Sequence, residues 1–269
     1  HARLQAGTGH ITLQGQYHPA SHQVHGSARL QGLDPALLHS RWAHQSIGGT
    51  LQARQDDAGM HWQVELQAAP HNKAAPAGLR LDHARAQGHW QGRILQVDRL
   101  DVQALQARLQ SPGLELRWDQ AAPQARGSLG LTLPGASAQA SGHWSALNGA
   151  GQAQVDVQQA ALAQAWLRAL PGLPAPALAT GTTQGQARLD LRWQGGWQAL
   201  TSADGSAAQL EASLSIPRLD WTSLPAAPQS QEPLQWREVQ ARLSGNARLA
   251  RLEVDAQTLA QGHRLRLQT

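Results

Sequence analysis

The sequence predicts an all-β protein, an elongated antiparallel sheet with two short helices. Three observations carry this. Apolar residues alternate with Gln, Arg, Glu or Asp in segment after segment, as in Leu114-Glu115-Leu116-Arg117-Trp118, Leu129-Gly130-Leu131-Thr132-Leu133 and Leu189-Asp190-Leu191-Arg192-Trp193. A period of two puts Leu, Val and Trp on one face of a strand and the polar residues on the other. Clusters of Gly, Asn and Asp, such as Asp56-Asp57-Ala58-Gly59, Leu147-Asn148-Gly149 and Ala203-Asp204-Gly205, punctuate these runs. That is how many short strands joined by turns are written. Helical spacing replaces the alternation in only two places.

Taken in order, strands are expected near residues 10–17, 27–32, 50–54, 61–68, 79–85, 92–97, 102–109 and 114–119. Further strands are expected near 127–133, 138–144, 151–157, 186–194, 207–217, 237–244, 248–256 and 263–268. Residues 34–44 read as a helix: Asp34 is an N-cap, Pro35 suits the first helical position, and Leu38 and Trp42 are four apart. Residues 158–170 read the same way, with Leu162, Trp166 and Leu170 on one stripe and Pro171-Gly172 as the stop. Each helix follows a strand and precedes a strand opened by glycine, Gly49 or Gly185. This weak repeat divides the chain into 1–157, with a helix near 34–44, and 158–269, opening with the helix near 158–170. Two stretches read as loops: residues 69–78, and residues 217–233 with Pro217, Pro225, Pro228 and Pro233.

Composition narrows the function. The chain has no Phe, no Cys, one Tyr, one Met and ten Trp among 269 residues, so the apolar face is built from Leu, Val, Ala and Trp. Without cysteine, stability rests on sheet pairing and burial. The formal charge is +4 and Lys73 is the only lysine. The arginines are scattered singly through strands rather than gathered into a patch, which argues against a nucleic-acid partner. No apolar run reaches the length of a membrane-spanning helix. The chain begins His1-Ala2-Arg3 and ends in a strand-like segment. It therefore reads as a piece of a longer protein, with any anchor or export signal outside it.

The residues do not compose an active site. Thirteen histidines are present, but His18 and His22 flank Pro19, His39 and His44 are five apart, and His22 and His25 lack a third ligand. Phosphate-binding glycine loops and the nucleophile elbow are missing. Carboxylates such as Glu65, Glu115, Asp190, Glu211 and Glu253 alternate within strands, where a solvated face places them. The reading is therefore non-enzymatic, with no cofactor, catalytic residue or metal. The tryptophans suit either an ordinary core or the rim of an apolar surface that meets lipid.

One pattern goes further. Residues 162–173, Leu162-Ala163-Gln164-Ala165-Trp166-Leu167-Arg168-Ala169-Leu170-Pro171-Gly172-Leu173, form an Ala/Leu-rich helix with a Pro-Gly break. The glycine-opened amphipathic strand of residues 185–195 follows, and Gly26-Ser27-Ala28-Arg29-Leu30 and Gly245-Asn246-Ala247-Arg248-Leu249 echo it. This style resembles the TamB-like (translocation and assembly module) and wider AsmA-like proteins of Gram-negative bacteria. The resemblance implies a periplasmic protein anchored to the inner membrane by a segment outside this chain. It implies a sheet curled into a half-pipe, or β-taco, with an apolar groove. It also implies work in outer-membrane biogenesis, by passing phospholipid between membranes or by partnering an outer-membrane barrel of the BamA type.

A curled sheet with an aliphatic lining suits lipid independently, because acyl chains gain about 0.8 kcal/mol per buried CH₂ and find nothing to pin them. The expected lining is Val64, Leu66, Leu114, Leu116, Trp118, Leu129, Leu131, Leu133, Leu189, Leu191, Trp193 and Leu214. The alternatives are part of an outer-membrane β-barrel or a secreted β-rich adhesin stalk. Strands shorter than the roughly 9–11 residues of a membrane strand argue against the barrel. The lack of a tight repeat argues against the stalk.

Overall fold

Alternation becomes hydrogen-bonded sheet along most of the chain. The computed structural model describes residues 2–6, 9–19, 23–37, 44–69, 80–118, 122–170, 181–201, 208–223, 234–246, 248–258 and 264–268. Two units are distinguished, residues 1–121 with 170–172 and residues 122–169 with 173–269.

The first unit holds β1 (Ala2–Ala6), β2 (Gly9–His18), β3 (Gln23–Leu33), β4 (Ile47–Asp56), β5 (Gly59–Ala68), β6 (Leu81–Gln91), β7 (Ile94–Ala104) and β8 (Ala107–Arg117). Each strand pairs antiparallel with the next. The second unit holds β9 (Gln124–Leu133), β10 (Ala136–Ser145), β11 (Ala150–Val157), β12 (Gly181–Gln194), β13 (Gln209–Ser223), β14 (Leu234–Gly245), β15 (Ala250–Thr258) and β16 (Arg264–Gln268), paired in the same manner. Among the described residues no pairing joins β1 to β8 or β9 to β16, so neither unit closes its own sheet into a barrel. The all-β, antiparallel class read from the sequence is the class observed.

The elements differ from the expected ones in instructive places. Of the helix expected over 34–44, one 3₁₀ turn, Pro35–Leu37, is described. Asp34 Oδ1 caps it, accepting from Ala36 N at 3.0 Å, while residues 38–43, including Leu38 and Trp42, lie outside the described residues. The second helix is present as α1 (Ala160–Ala169). Its buried residue is Ala163, whereas Leu162 stays 48% exposed, so the stripe through Leu162 is not its packing face. A short helix α2 (Trp197–Thr201) was not foreseen. The residues of the expected 69–78 loop beyond Ala69 lie outside the described residues.

Several strands are longer than their sequence signal. β2 to β8 run 10 or 11 residues, so the argument from short strands against a membrane barrel does not hold. The expected strand over 102–109 is two strand ends with a hairpin turn at Leu105-Gln106, both at positive φ (52° and 65°). β13 runs through Pro217 to Ser223, where a loop was expected. Gln186 pairs with Arg218 and Arg188 with Ser215, so Ile216 and Pro217 together face one residue of β12. Proline is tolerated at such a bulge because the ladder is already interrupted there.

Two overhanging strand ends are sealed by glutamine side chains. The ladder between β5 and β6 ends at Gln67 and His83, leaving Leu81 without a strand partner on that side. The Gln45 amide takes the position, its Oε1 accepting from Leu81 N at 3.1 Å and its Nε2 donating to Leu81 O at 3.3 Å. In the second unit the ladder with β11 covers only residues 187–194 of β12. Gln164 of α1 reaches the uncovered stretch: its Oε1 accepts from Thr183 N at 3.0 Å and its Nε2 donates to Gly181 O at 3.0 Å. Arg168 also donates to Gly181 O. The start of α1 is fixed by Gly135 O, which accepts from the backbone N–H groups of Gln158 and Gln159 at 2.9 and 3.0 Å.

Candidate functional site

Directly paired residues of an antiparallel ladder project from the same face. Following the pairs across the first unit therefore traces rows of side chains. One row reads Leu4, Ile11, Leu30, Gly49, Leu66, Ala84, Val102, Leu109. The next reads Leu13, Ala28, Leu51, Val64, Ala86, Leu100. A third joins Ala53, Trp62, Gly88, Val97 and Leu114, and a fourth joins Met60, Trp90, Leu95 and Leu116. Val64, Leu66, Leu114 and Leu116 thus share one apolar face. Trp118, just past β8, meets Trp90 edge-on with ring centroids 6.1 Å apart.

The second unit repeats the arrangement. Leu131, Ala138, Val155, Leu189, Leu214, Ala241 and Val254 form one row. Leu129, Ala140, Ala153, Leu191, Ala212, Leu243 and Leu252 form another, and Leu133 pairs with Ala136 on the same face. The next row is Gly127, Gly142, Gly151, Trp193 and Leu210.

These registers give several of the tryptophans a packing role. Trp62 and Trp193 each lie across a glycine of their own row, and Trp221 lies over a glycine one step off its row. A Cβ on Gly88 would come within 2.9 Å of the Trp62 ring, and one on Gly142 within 3.2 Å of the Trp193 ring. A Cβ on Gly181 would come within 2.6 Å of the Trp221 indole nitrogen. Trp193 also stacks on Trp144 at 6.1 Å. A large flat ring laid over glycine restores the apolar surface that the missing side chain removes.

Most members of these rows are half-buried among the described residues. Among the described residues the buried apolar ones are few and mostly small, including Ile47, Leu81, Val97 and several alanines. Leu51, in mid-row, is 38% exposed, and Val24, Trp90 and Trp118 are also exposed. In the second unit α1 sits at the overhang of β12 and the β9–β10 turn, not across the aliphatic rows. Gln198 of α2 donates its backbone N–H to Ala146 O at 3.1 Å, at the β10–β11 connection. An exposed apolar patch of this kind marks a contact surface rather than an ordinary exterior.

The opposite face is polar and laced with ion pairs along and between strands. Arg108 donates to both carboxylate oxygens of Asp101 at 2.8 and 2.6 Å, which holds the Asp101 carboxyl below its ordinary range. Hydrogen bonding to the His44 ring does the same to Asp34. Such exposed pairs organise the surface and contribute little stability each. Among the described residues no group of three or more His, Cys, Asp or Glu converges as a metal site would require.

A cavity of about 690 Å³ opens on the first unit. Its lining runs from Gln14 and His25 through Gln52, Arg54, His61 and Gln63 to Gln87 and Asp98. Asp98 accepts from Gln96 Nε2 at 3.2 Å and lies 3.7 Å from His89 Nδ1, both polar-face residues. The cavity therefore belongs to the polar face, and none of the twelve expected lining residues contributes to it. The sequence reading missed it. Its signal was present as glutamines recurring at positions that turn out to be paired, but pairing is invisible until register is known.

No family model, curated protein or solved structure matches the chain.

Proposed function

We propose that the chain is a non-enzymatic β-sheet module of outer-membrane biogenesis, whose apolar face receives the acyl chains of phospholipid. The observation that carries this reading is the continuity of half-buried aliphatic rows across successive strands of each unit. A row of Leu, Val and Ala offers area without hydrogen bonds, and each CH₂ laid on it gains up to about 0.8 kcal/mol. The resemblance to TamB-like and AsmA-like proteins supplies the setting: the periplasm, an inner-membrane anchor outside this chain, and passage of phospholipid between membranes or partnership with a BamA-type barrel. Photocross-linking in bacterial cells tests the reading. A photoreactive residue at Leu116 or Leu191 should capture phospholipid, and one at Arg117 or Arg192 on the polar face should not. Equal labelling at all four positions, or at none, removes the lipid reading.

One observation favours a second reading, part of an outer-membrane β-barrel. Strands of 10 or 11 residues match those that cross a bilayer. Heat-dependent migration of the folded chain on a detergent gel, after extraction from outer membranes, would favour the barrel.

A further inference from the structure

On the polar face of the first unit, cross-strand pairing stacks side-chain amides into a ladder. Gln14 pairs with Ser27, Ser27 with Gln52, Gln52 with Gln63 and Gln63 with Gln87. Two residues along each strand runs a second row, in which His25 pairs with Arg54 and Arg54 with His61. The backbone between the rows carries Gly15, Gly26 and Gly88, which have no side chains, and Ala53 and Trp62, whose side chains belong to the other face. The result is a trough across the strands, the cavity of about 690 Å³.

We propose that this trough binds an acidic oligosaccharide, extended across the strands. Each amide offers both a donor and an acceptor, the pair that a sugar hydroxyl needs. Neighbouring strands are about 4.8 Å apart, so the ladder repeats at roughly the length of one pyranose unit. Arg54 supplies the charge preference. Two arginines elsewhere on this face engage carboxylates, Arg85 with Glu65 at 2.8 Å and Arg108 with Asp101 at 2.6 Å. Arg54 has no carboxylate partner among the described residues, which leaves its planar fork for a carboxylate or phosphate on the ligand. The carboxylate in the lining, Asp98, lies on β7, three strands from Arg54 on β4, and is engaged by Gln96. Nucleic acid is a poor fit, since the trough presents a single arginine and a carboxylate, not the run of cations that tracks a phosphate backbone. An acyl chain is excluded by the amides.

Titration of the full chain with hexagalacturonate and with neutral maltohexaose, followed by calorimetry, tests the proposal. Hexagalacturonate should bind and maltohexaose should bind at least about tenfold more weakly, as expected for loss of a charge-assisted contact. Arg54→Ala should weaken hexagalacturonate at least about tenfold, with Arg54→Lys in between. Gln52→Leu and Gln63→Leu should weaken both sugars, while Gln139→Leu, on the polar face of the second unit, should change neither. All these side chains are exposed, and circular dichroism verifies that the variants fold. Lack of hexagalacturonate binding, or equal binding of the two sugars unaffected by Arg54→Ala, overturns the proposal. Neither result bears on lipid capture by the opposite face.

Discussion

The two units solve the same edge problem at different scales. In the first, β6 outruns its neighbour by little, and one side chain, the 4% exposed Gln45, replaces the missing strand at Leu81. In the second, β12 extends by the six residues 181–186 beyond the β11 ladder. There a whole helix is laid against the overhang, presenting Gln164 and Arg168. An unpaired strand edge must be satisfied or covered, and the length of the overhang decides whether a residue suffices or an element is needed. The same contrast holds on the apolar face. Trp62 covers one glycine, whereas Trp193 covers Gly142 and Gly151 and stacks on Trp144.

The largest expected effect tests the second contrast. Trp193→Ala should cost about 3 kcal/mol, for lost transfer and an open gap over two glycines. Trp62→Ala should cost about 1 kcal/mol less, because the buried Trp62 indole N–H has no partner and its removal relieves that penalty. Denaturant midpoints measure both. Trp62→Phe, which drops the donor and keeps a smaller ring, sharpens the test and should cost less than Trp62→Ala. A larger loss for Trp62→Ala than for Trp193→Ala would break the comparison.

Next come the edge caps. Gln45→Ala strands a buried donor and acceptor of Leu81 and should cost about 2 kcal/mol. Gln164→Ala should cost about 1 kcal/mol, because its half-buried position lets water take over part of the bonding. Hydrogen exchange should accelerate at the Leu81 amide in one variant and at the Thr183 amide in the other. Acceleration spread evenly over each unit would mean that the glutamines are not local caps.

The smallest effect concerns turns. The β9–β10 hairpin turns on Pro134-Gly135, with Gly135 at φ +78°, a pair suited to that geometry. The β7–β8 hairpin instead forces Leu105 and Gln106 to positive φ. Replacing Leu105-Gln106 by Asn-Gly should stabilise the first unit by about 1 kcal/mol. A neutral or destabilising result in a thermal melt would show that Leu105 contributes packing that outweighs its backbone strain.

These particulars show which parts of the molecule were legible beforehand. Leu129, Leu131, Leu189 and Leu191 could be placed on one face because alternation is a local property of each strand. The Pro134-Gly135 turn was legible in principle, whereas the Leu105-Gln106 turn was not. Alternation only slips phase there, at the adjacent Ala104 and Leu105, with no Gly, Asn, Asp or Pro to mark a turn, so 102–109 read as a single strand. Pro217 misled in the opposite direction, since a bulge accommodates it inside β13. The polar trough was hidden for a different reason. Gln14, Gln52, Gln63 and Gln87 lie far apart in the chain and become a ladder only through the registers of β2 to β6.

The sequence by itself determined that this chain forms antiparallel sheet with one apolar and one polar face, because a period of two is written into each strand and needs no partner to be expressed. It also determined that the face would be aliphatic and tryptophan-rich, because no other large apolar residue is available in number. Tertiary structure decided which tryptophan covers which glycine, which glutamine seals which edge, and which amides align across strands. Those are relations between residues tens of positions apart, fixed by register, and register is set by the pairing of whole strands rather than by any one of them.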